Sequence, residues 1–139
     1  KDGIHIIINI LEDYGTKQIF RKKLIEQLPI IWDDLPLTDS WDNIVDDAVI
    51  KGNVGWQLYG SRKPGNEPYK LLYYYETNIQ DYNTVQLNEI KIENLNFDIL
   101  FPELCARDKT KCNQFKIKDE YITEHDSYLT SKLKVKKEK

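Results

Sequence analysis

The stretch from Trp56 to Tyr69, WQLYGSRKPGNEPY, holds the densest set of groups able to do chemistry. Gly60 and Gly65 permit close backbone approach to a ligand. The Ser61 hydroxyl and the Arg62 and Lys63 cations offer contacts for phosphate oxygens. The same composition also suits an exposed hairpin turn with incidental charges. A second candidate is His5, inside the apolar run IHIIINI. On an extended chain, alternation puts Lys1, Gly3 and His5 on one face. An imidazole there is either a satisfied core residue or a ligand, and Gly3 can still present a backbone N–H to an anion. The third candidate is the acidic stretch from Trp32 to Asp47, which carries Asp33, Asp34, Asp39, Asp42, Asp46 and Asp47 and no cation and is compatible with a metal site. A carboxylate held at a strand end suits a hard cation such as Mg²⁺ or Mn²⁺. Asp33, Asp34, Asp39 and Asp42 read as a solvated acidic loop. Tyr73, Tyr74 and Tyr75 can stack nucleobases, or simply form a strand whose middle ring faces opposite its neighbours. Cys105 and Cys112 have no histidine nearby, which argues against zinc.

The elements that must position these groups follow from periodicity. Residues 4–10 are apolar on both faces, as expected of a buried strand. Thr16 can cap a helix running to about Leu28, with Ile19, Phe20, Leu24 and Leu28 as its apolar stripe, Arg21, Lys22, Lys23 and Glu26 outside, and Pro29 closing it. Residues 33–42 read as loop, with a short segment at 44–50 and a turn at 51–53. Strands at 56–60 and 70–77 flank the loop 61–68 as an antiparallel hairpin, and 85–92 can add a strand. Phe97 to Arg107 reads as a short helix interrupted by Pro102. Beyond Asp119 the chain turns polar: 119–139 reads as a polar linker or tail, and from Ser131 as a linker or frayed helix. The fold class is α+β: a mostly antiparallel sheet with packed helices.

Bulk properties set the outer bounds. The 139 residues suffice for one modest core, and 40% hydrophobic with 31% charged residues is ordinary for a globular protein. No apolar run approaches the length that spans a bilayer, and no signal-peptide pattern is present. Two cysteines are too few for a disulfide scaffold and fit a reducing, intracellular compartment. The net charge of −3 argues against a general nucleic-acid coat. The chain begins with Lys1 and enters an apolar run almost at once, which reads as a fragment of a longer polypeptide.

Taken together, these segments resemble the archaeo-eukaryotic primase superfamily, in particular the primase half of the helicase–primases of nucleocytoplasmic large DNA viruses, including the poxvirus type. Tyr59-Gly60-Ser61-Arg62-Lys63, followed by Pro68-Tyr69 and an apolar strand, is similar to the Leu-Tyr-x-Ser-x-Lys segment of primase–polymerases. KDGIHI is similar to the Ser-x-His motif, with Gly3 in the serine position. Ile44–Asp47 is similar to the apolar-Asp motif, in which Asp46 is favoured over Asp47. The order His, Asp, Tyr-Gly-Ser-x-Lys, with a helix between the first two, carries the resemblance over residues 1–118.

The resemblance implies the C-terminal part of a primase catalytic domain with an RRM-like half. It implies nucleotidyl transfer from NTPs or dNTPs on a single-stranded DNA template during viral DNA replication. It assigns Asp46 as metal ligand for Mg²⁺ or Mn²⁺, His5 as catalytic and triphosphate-binding, and Lys1, Gly3, Ser61, Arg62 and Lys63 as nucleotide contacts. Gln57 stands where primase–polymerases carry arginine, and Arg62 can compensate. The upstream Asp-x-Asp or Asp-x-Glu is missing, so this fragment alone is expected to be inactive. A C-terminal helicase domain and a place in the host cytoplasm (a viral factory) or nucleus are expected of the whole protein. His5, Asp46 and Lys63 are expected to meet in one cleft. The rival reading is a non-catalytic nucleic-acid-binding or scaffolding domain that retains the fold.

Overall fold

The computed structural model describes residues 4–51, 58–80, 84–104 and 114–137. The chain divides into two compact units, one of residues 1–9 with 56–111, the other of 10–55 with 112–139. Each is described by itself.

The second unit is built on a pair of helices, α1 (Tyr14–Ile31) and α5 (Ile122–Lys137). Asp13, not Thr16, caps α1: it is extended, and its carboxylate accepts the Thr16 N–H at 2.9 Å. An aspartate in this position satisfies one of the free N–H groups of the first turn. Pro29 lies inside the helix instead of ending it, since near the C-terminus it removes only one bond and Trp32 N–H still reaches the Leu28 carbonyl at 2.9 Å. Gly15, Ile19 and Leu28 are the buried residues of α1. Phe20, expected in the apolar stripe, is 55% exposed. Arg21, expected outside, has a side chain only 14% exposed.

Helix α5 forms where a linker or tail was expected and packs on α1. Its polar composition hid this, because the packing rests on Gly15 and on ion pairs more than on an apolar stripe. A β-carbon on Gly15 would lie 2.7 Å from His125 Cδ2 and 3.0 Å from the His125 carbonyl, so the helices approach this closely only over glycine. Lys22 Nζ bonds Glu124 at 2.8 Å, and the Lys132 ammonium sits 4.1 Å above the Tyr14 ring centre. Two one-turn helices, α2 (Trp41–Ile44) and α3 (Ala48–Lys51), also contact α1.

The first unit holds a two-stranded antiparallel sheet, β1 (Tyr75–Ile79) and β2 (Val85–Glu89), in the register Tyr75↔Glu89, Thr77↔Leu87, Ile79↔Val85. Among the described residues the paired strands are 75–79 and 85–89; 58–60 and 70–74 form no strand, and residues 56–57 of the expected hairpin lie outside the described residues. Residues 4–9 are not a buried strand: Ile4 is 82% and Ile6 72% exposed, and only Ile10 makes an isolated bridge. A buried strand keeps its apolar side chains out of water, and Ile4 and Ile6 stand in it. Helix α4 (Phe97–Leu100), capped by Asn96, stops short of Pro102, and the turn after it buries Leu104 beside Leu100 in sequence. Helices and an antiparallel sheet make the α+β class expected from periodicity. Among the described residues, no helix is long and apolar enough to cross a membrane.

Candidate functional site

The turn after Leu58 is closed by backbone bonds. Gly60 N–H donates to the Tyr69 carbonyl, and Tyr69 N–H donates to the Ser61 carbonyl, both at 2.9 Å. These two bonds define the loop that displays Arg62 and Lys63. Gly60 at φ 78° and Gly65 at φ 77° supply the left-handed conformations that the loop requires. Asn66 N–H caps the Lys63 carbonyl at 3.0 Å. Arg62 and Lys63 are exposed and have no side-chain partner among the described residues. The Ser61 hydroxyl donates to the Leu58 carbonyl at 2.6 Å, so it reaches a phosphate as donor only by releasing that bond.

His5 is brought to this turn by an aromatic contact. Its ring stacks on Tyr69 with centroids 4.4 Å apart and planes 19° from parallel. Tyr69 is the residue whose backbone closes the loop, so His5, Ser61, Arg62 and Lys63 share one local framework. Sequence reasoning gave Tyr69 no role; the Pro68-Tyr69 pair was the only signal. Lys1, Gly3 and Gln57 lie outside the described residues, as do Cys105 and Cys112.

Asp46 belongs to the other unit. It is not at a strand end: its Oδ1 accepts the Ala48 N–H at 2.8 Å, opening α3. Short acidic side chains take such local N–H groups readily, and this overrides a weak strand signal. The second carboxylate oxygen of Asp46 has no partner among the described residues. Asp47 is committed to Lys51, whose hydrogen bond holds its carboxyl below the usual range.

Arg21 anchors the segment before Asp46. Its guanidinium donates to the Val45 carbonyl from Nε at 2.9 Å and Nη2 at 2.7 Å, to the Asp42 carbonyl at 2.6 Å, and to Asp42 Oδ1 at 3.0 Å. Arg21, Asp42, Asn43, Asp46 and Asp47 line a shallow polar depression. Among the described residues, no group of three or more His, Cys, Asp or Glu side chains is arranged to hold a metal ion. Asp46 with one free oxygen, beside a guanidinium, does not make a cation site without further ligands.

A family model for the C962R protein N-terminal AEP domain matches residues 1–75, more than half of the chain. The chain belongs to this archaeo-eukaryotic primase family. At the family level it is a primase-like nucleotidyltransferase domain that engages nucleotides and nucleic acid. No curated protein and no solved structure matches the chain. The matched AEP segment contains His5, Asp46 and the Ser61–Lys63 turn.

Proposed function

We propose that this AEP domain contributes the nucleotide-binding half of a DNA primase or primase–polymerase active site, within a larger viral helicase–primase. One observation carries the reading: His5 stacks on Tyr69, the residue that closes the loop displaying Arg62 and Lys63. Two cations on a glycine-shaped turn beside an imidazole can receive the triphosphate of an NTP or dNTP. Lys63 neutralises phosphate charge, with Arg62 assisting. Ser61 shapes the turn and serves as a further phosphate contact, while His5 orients beside the triphosphate. Lys1 and Gly3 belong to the same contact set. Asp46 is one ligand for Mg²⁺ or Mn²⁺, which supplies charge stabilisation to phosphoryl chemistry when bound. Its remaining ligands lie outside the described residues. Single-stranded DNA is the template, and a helicase domain of the same polypeptide is the partner.

The test is an equilibrium nucleotide titration of the whole protein. Lys63→Ala removes a charge-assisted contact and weakens triphosphate affinity by about 1.5–3 kcal/mol. Binding of double-stranded DNA changes much less. Unchanged nucleotide affinity would make Lys63 an ordinary turn lysine.

A further inference from the structure

The tyrosine run following the turn takes no part in the triphosphate site. In the structure its outer members point one way and its middle member the other. Tyr73 is 64% and Tyr75 45% exposed, whereas Tyr74 is half-buried and its carbonyl accepts the Ile90 N–H at 3.0 Å. The Tyr73 and Tyr75 rings are within 19° of parallel, with centroids 6.4 Å apart. Neither hydroxyl has a partner among the described residues. On the sheet, Tyr75 shares its face with Thr77 and therefore with Leu87, itself 61% exposed. The opposite face carries Glu76, Asn78, Gln86 and Asn88. Both faces of the hairpin are exposed, so its aromatic and aliphatic side stands in solvent as its polar side does.

We propose that Tyr73 and Tyr75 are a stacking platform for the bases of single-stranded nucleic acid, with Lys70 taking a backbone phosphate. The proposal rests on the reading of this domain as a template-directed nucleotidyltransferase. Flat rings with free faces accept any base, because every base has a π-face. The 6.4 Å separation is nearly twice the ~3.4 Å rise between neighbouring bases in one strand of a duplex. The pair therefore suits splayed bases of a single strand and not a stacked duplex run. Glu89 lies directly opposite Tyr75 and repels phosphate there. Lys70, three residues before Tyr73, is the cation nearest to the pair in sequence: its ammonium is exposed and 3.9 Å from an exposed Glu67 carboxylate, a contact that phosphate readily displaces.

The experiment is fluorescence anisotropy of a labelled oligothymidine titrated with the whole protein, beside a nucleotide titration and a duplex control. Replacing Tyr73 and Tyr75 together by Ala lowers oligothymidine affinity by roughly five- to a hundredfold per ring, with duplex and triphosphate affinity unchanged. Both side chains are exposed, so their truncation leaves no cavity. Tyr73→Phe with Tyr75→Phe retains wild-type affinity, which a hydrogen-bonding or merely structural role does not explain. Lys70→Ala shallows the salt dependence by roughly one phosphate contact. Wild-type affinity in the double-alanine protein overturns the platform while leaving the triphosphate site standing. Equal loss in the phenylalanine and alanine proteins overturns stacking in favour of the hydroxyls. Failure of the wild type to bind oligothymidine also overturns the platform, and only failure to bind both oligothymidine and nucleotide removes the nucleotidyltransferase reading with it.

Discussion

Gly15 in the helical unit and Gly60 in the turn unit are glycines for opposite reasons. At Gly15 a β-carbon has no room, since it would meet the His125 ring at 2.7 Å and the His125 backbone at 3.0 Å. At Gly60 it has all the room it wants, with nothing within 4 Å, but the backbone sits at φ 78°. One glycine serves packing and the other serves backbone conformation. The charges differ in the same way. In the helical unit several are engaged: Arg21 with Asp42 and Val45, Lys22 with Glu124, Lys51 with Asp47, His125 with Asp13 and Asp126. In the turn unit Arg62 and Lys63 have no side-chain partner among the described residues, on a loop closed by its own backbone bonds. Cations already in ion pairs hold the helices together; the anion-receiving role proposed for the turn uses cations that are not.

The sharpest exception to that division is Asp46, a proposed functional group set within the scaffold unit. Asp46→Asn keeps the cap on Ala48, because asparagine accepts the same N–H. In the full-length protein it is expected to lose primer synthesis by orders of magnitude with an unchanged unfolding midpoint. Asp47→Asn breaks only the Lys51 pair and is expected to be milder. Synthesis on a single-stranded template measures both. Loss in Asp47→Asn alone would show that the other carboxylate is functional. Normal synthesis in both would leave a non-catalytic nucleic-acid-binding or scaffolding domain.

The glycines come next. Gly15→Ala forces His125 away from Asp13 and costs about 1–3 kcal/mol in thermal or urea unfolding. Gly60→Ala meets no clash and costs only about 1–2 kcal/mol of left-handed strain, but it distorts the Lys63 loop and weakens nucleotide binding. If Gly15→Ala weakened nucleotide binding with no loss of stability, the contrast between packing and conformation would be wrong.

The smallest effect is a slope. Both His125 ring nitrogens face carboxylates, Asp126 at 3.1 Å and Asp13 at 2.8 Å, so both act as donors when the ring is protonated. The Asp126 and Asp13 hydrogen bonds raise the His125 pKa above its ordinary 6.5. Burial pulls the other way on Asp13, yet the Thr16 and His125 bonds outweigh it and leave the carboxyl below its ordinary 3.8. Glu12, raised by burial and then by Asp13, is the remaining acid near the ring. Because the histidine value is raised on folding, its contribution is complete below 6.5 and is lost as pH rises through the raised value. Because the Asp13 value is lowered, its contribution is present above 3.8 and is lost as pH falls through the lowered value. Unfolding midpoints measured from weakly acidic to weakly alkaline pH should fall for the wild type and stay flatter for His125→Gln. Parallel profiles for the two proteins would remove His125 from the helix contact.

Local chemistry decides the turn, which pointed to a primase-like domain only together with His5 and Asp46 in that order. Gly60 and Gly65 suit left-handed backbone wherever they stand, and Ser61-Arg62-Lys63 needs only a closed loop to be displayed. A helix from Thr16 to about Leu28 was legible for the same reason, from its apolar spacing and a capping residue, although it begins at Tyr14 under Asp13, runs past Pro29 to Ile31, and carries Phe20 and Arg21 on other faces than expected. Periodicity cannot tell which neighbour a face will meet. Tertiary structure alone decided the rest. Residues 4–9 look like a core strand by composition, yet Ile4 and Ile6 stand exposed, because burial depends on what packs over a strand and composition does not record that. Asp46 looked like a strand end, and a free N–H two residues on made it the acceptor of a local turn ahead of α3. Residues 122–137 looked like a polar tail, and became the second helix of the scaffold because Gly15, distant in sequence, leaves room for His125. Sequence spacing encodes what a side chain can do within its own turn of chain. What it does across the fold depends on which surfaces approach, and no local pattern records that approach.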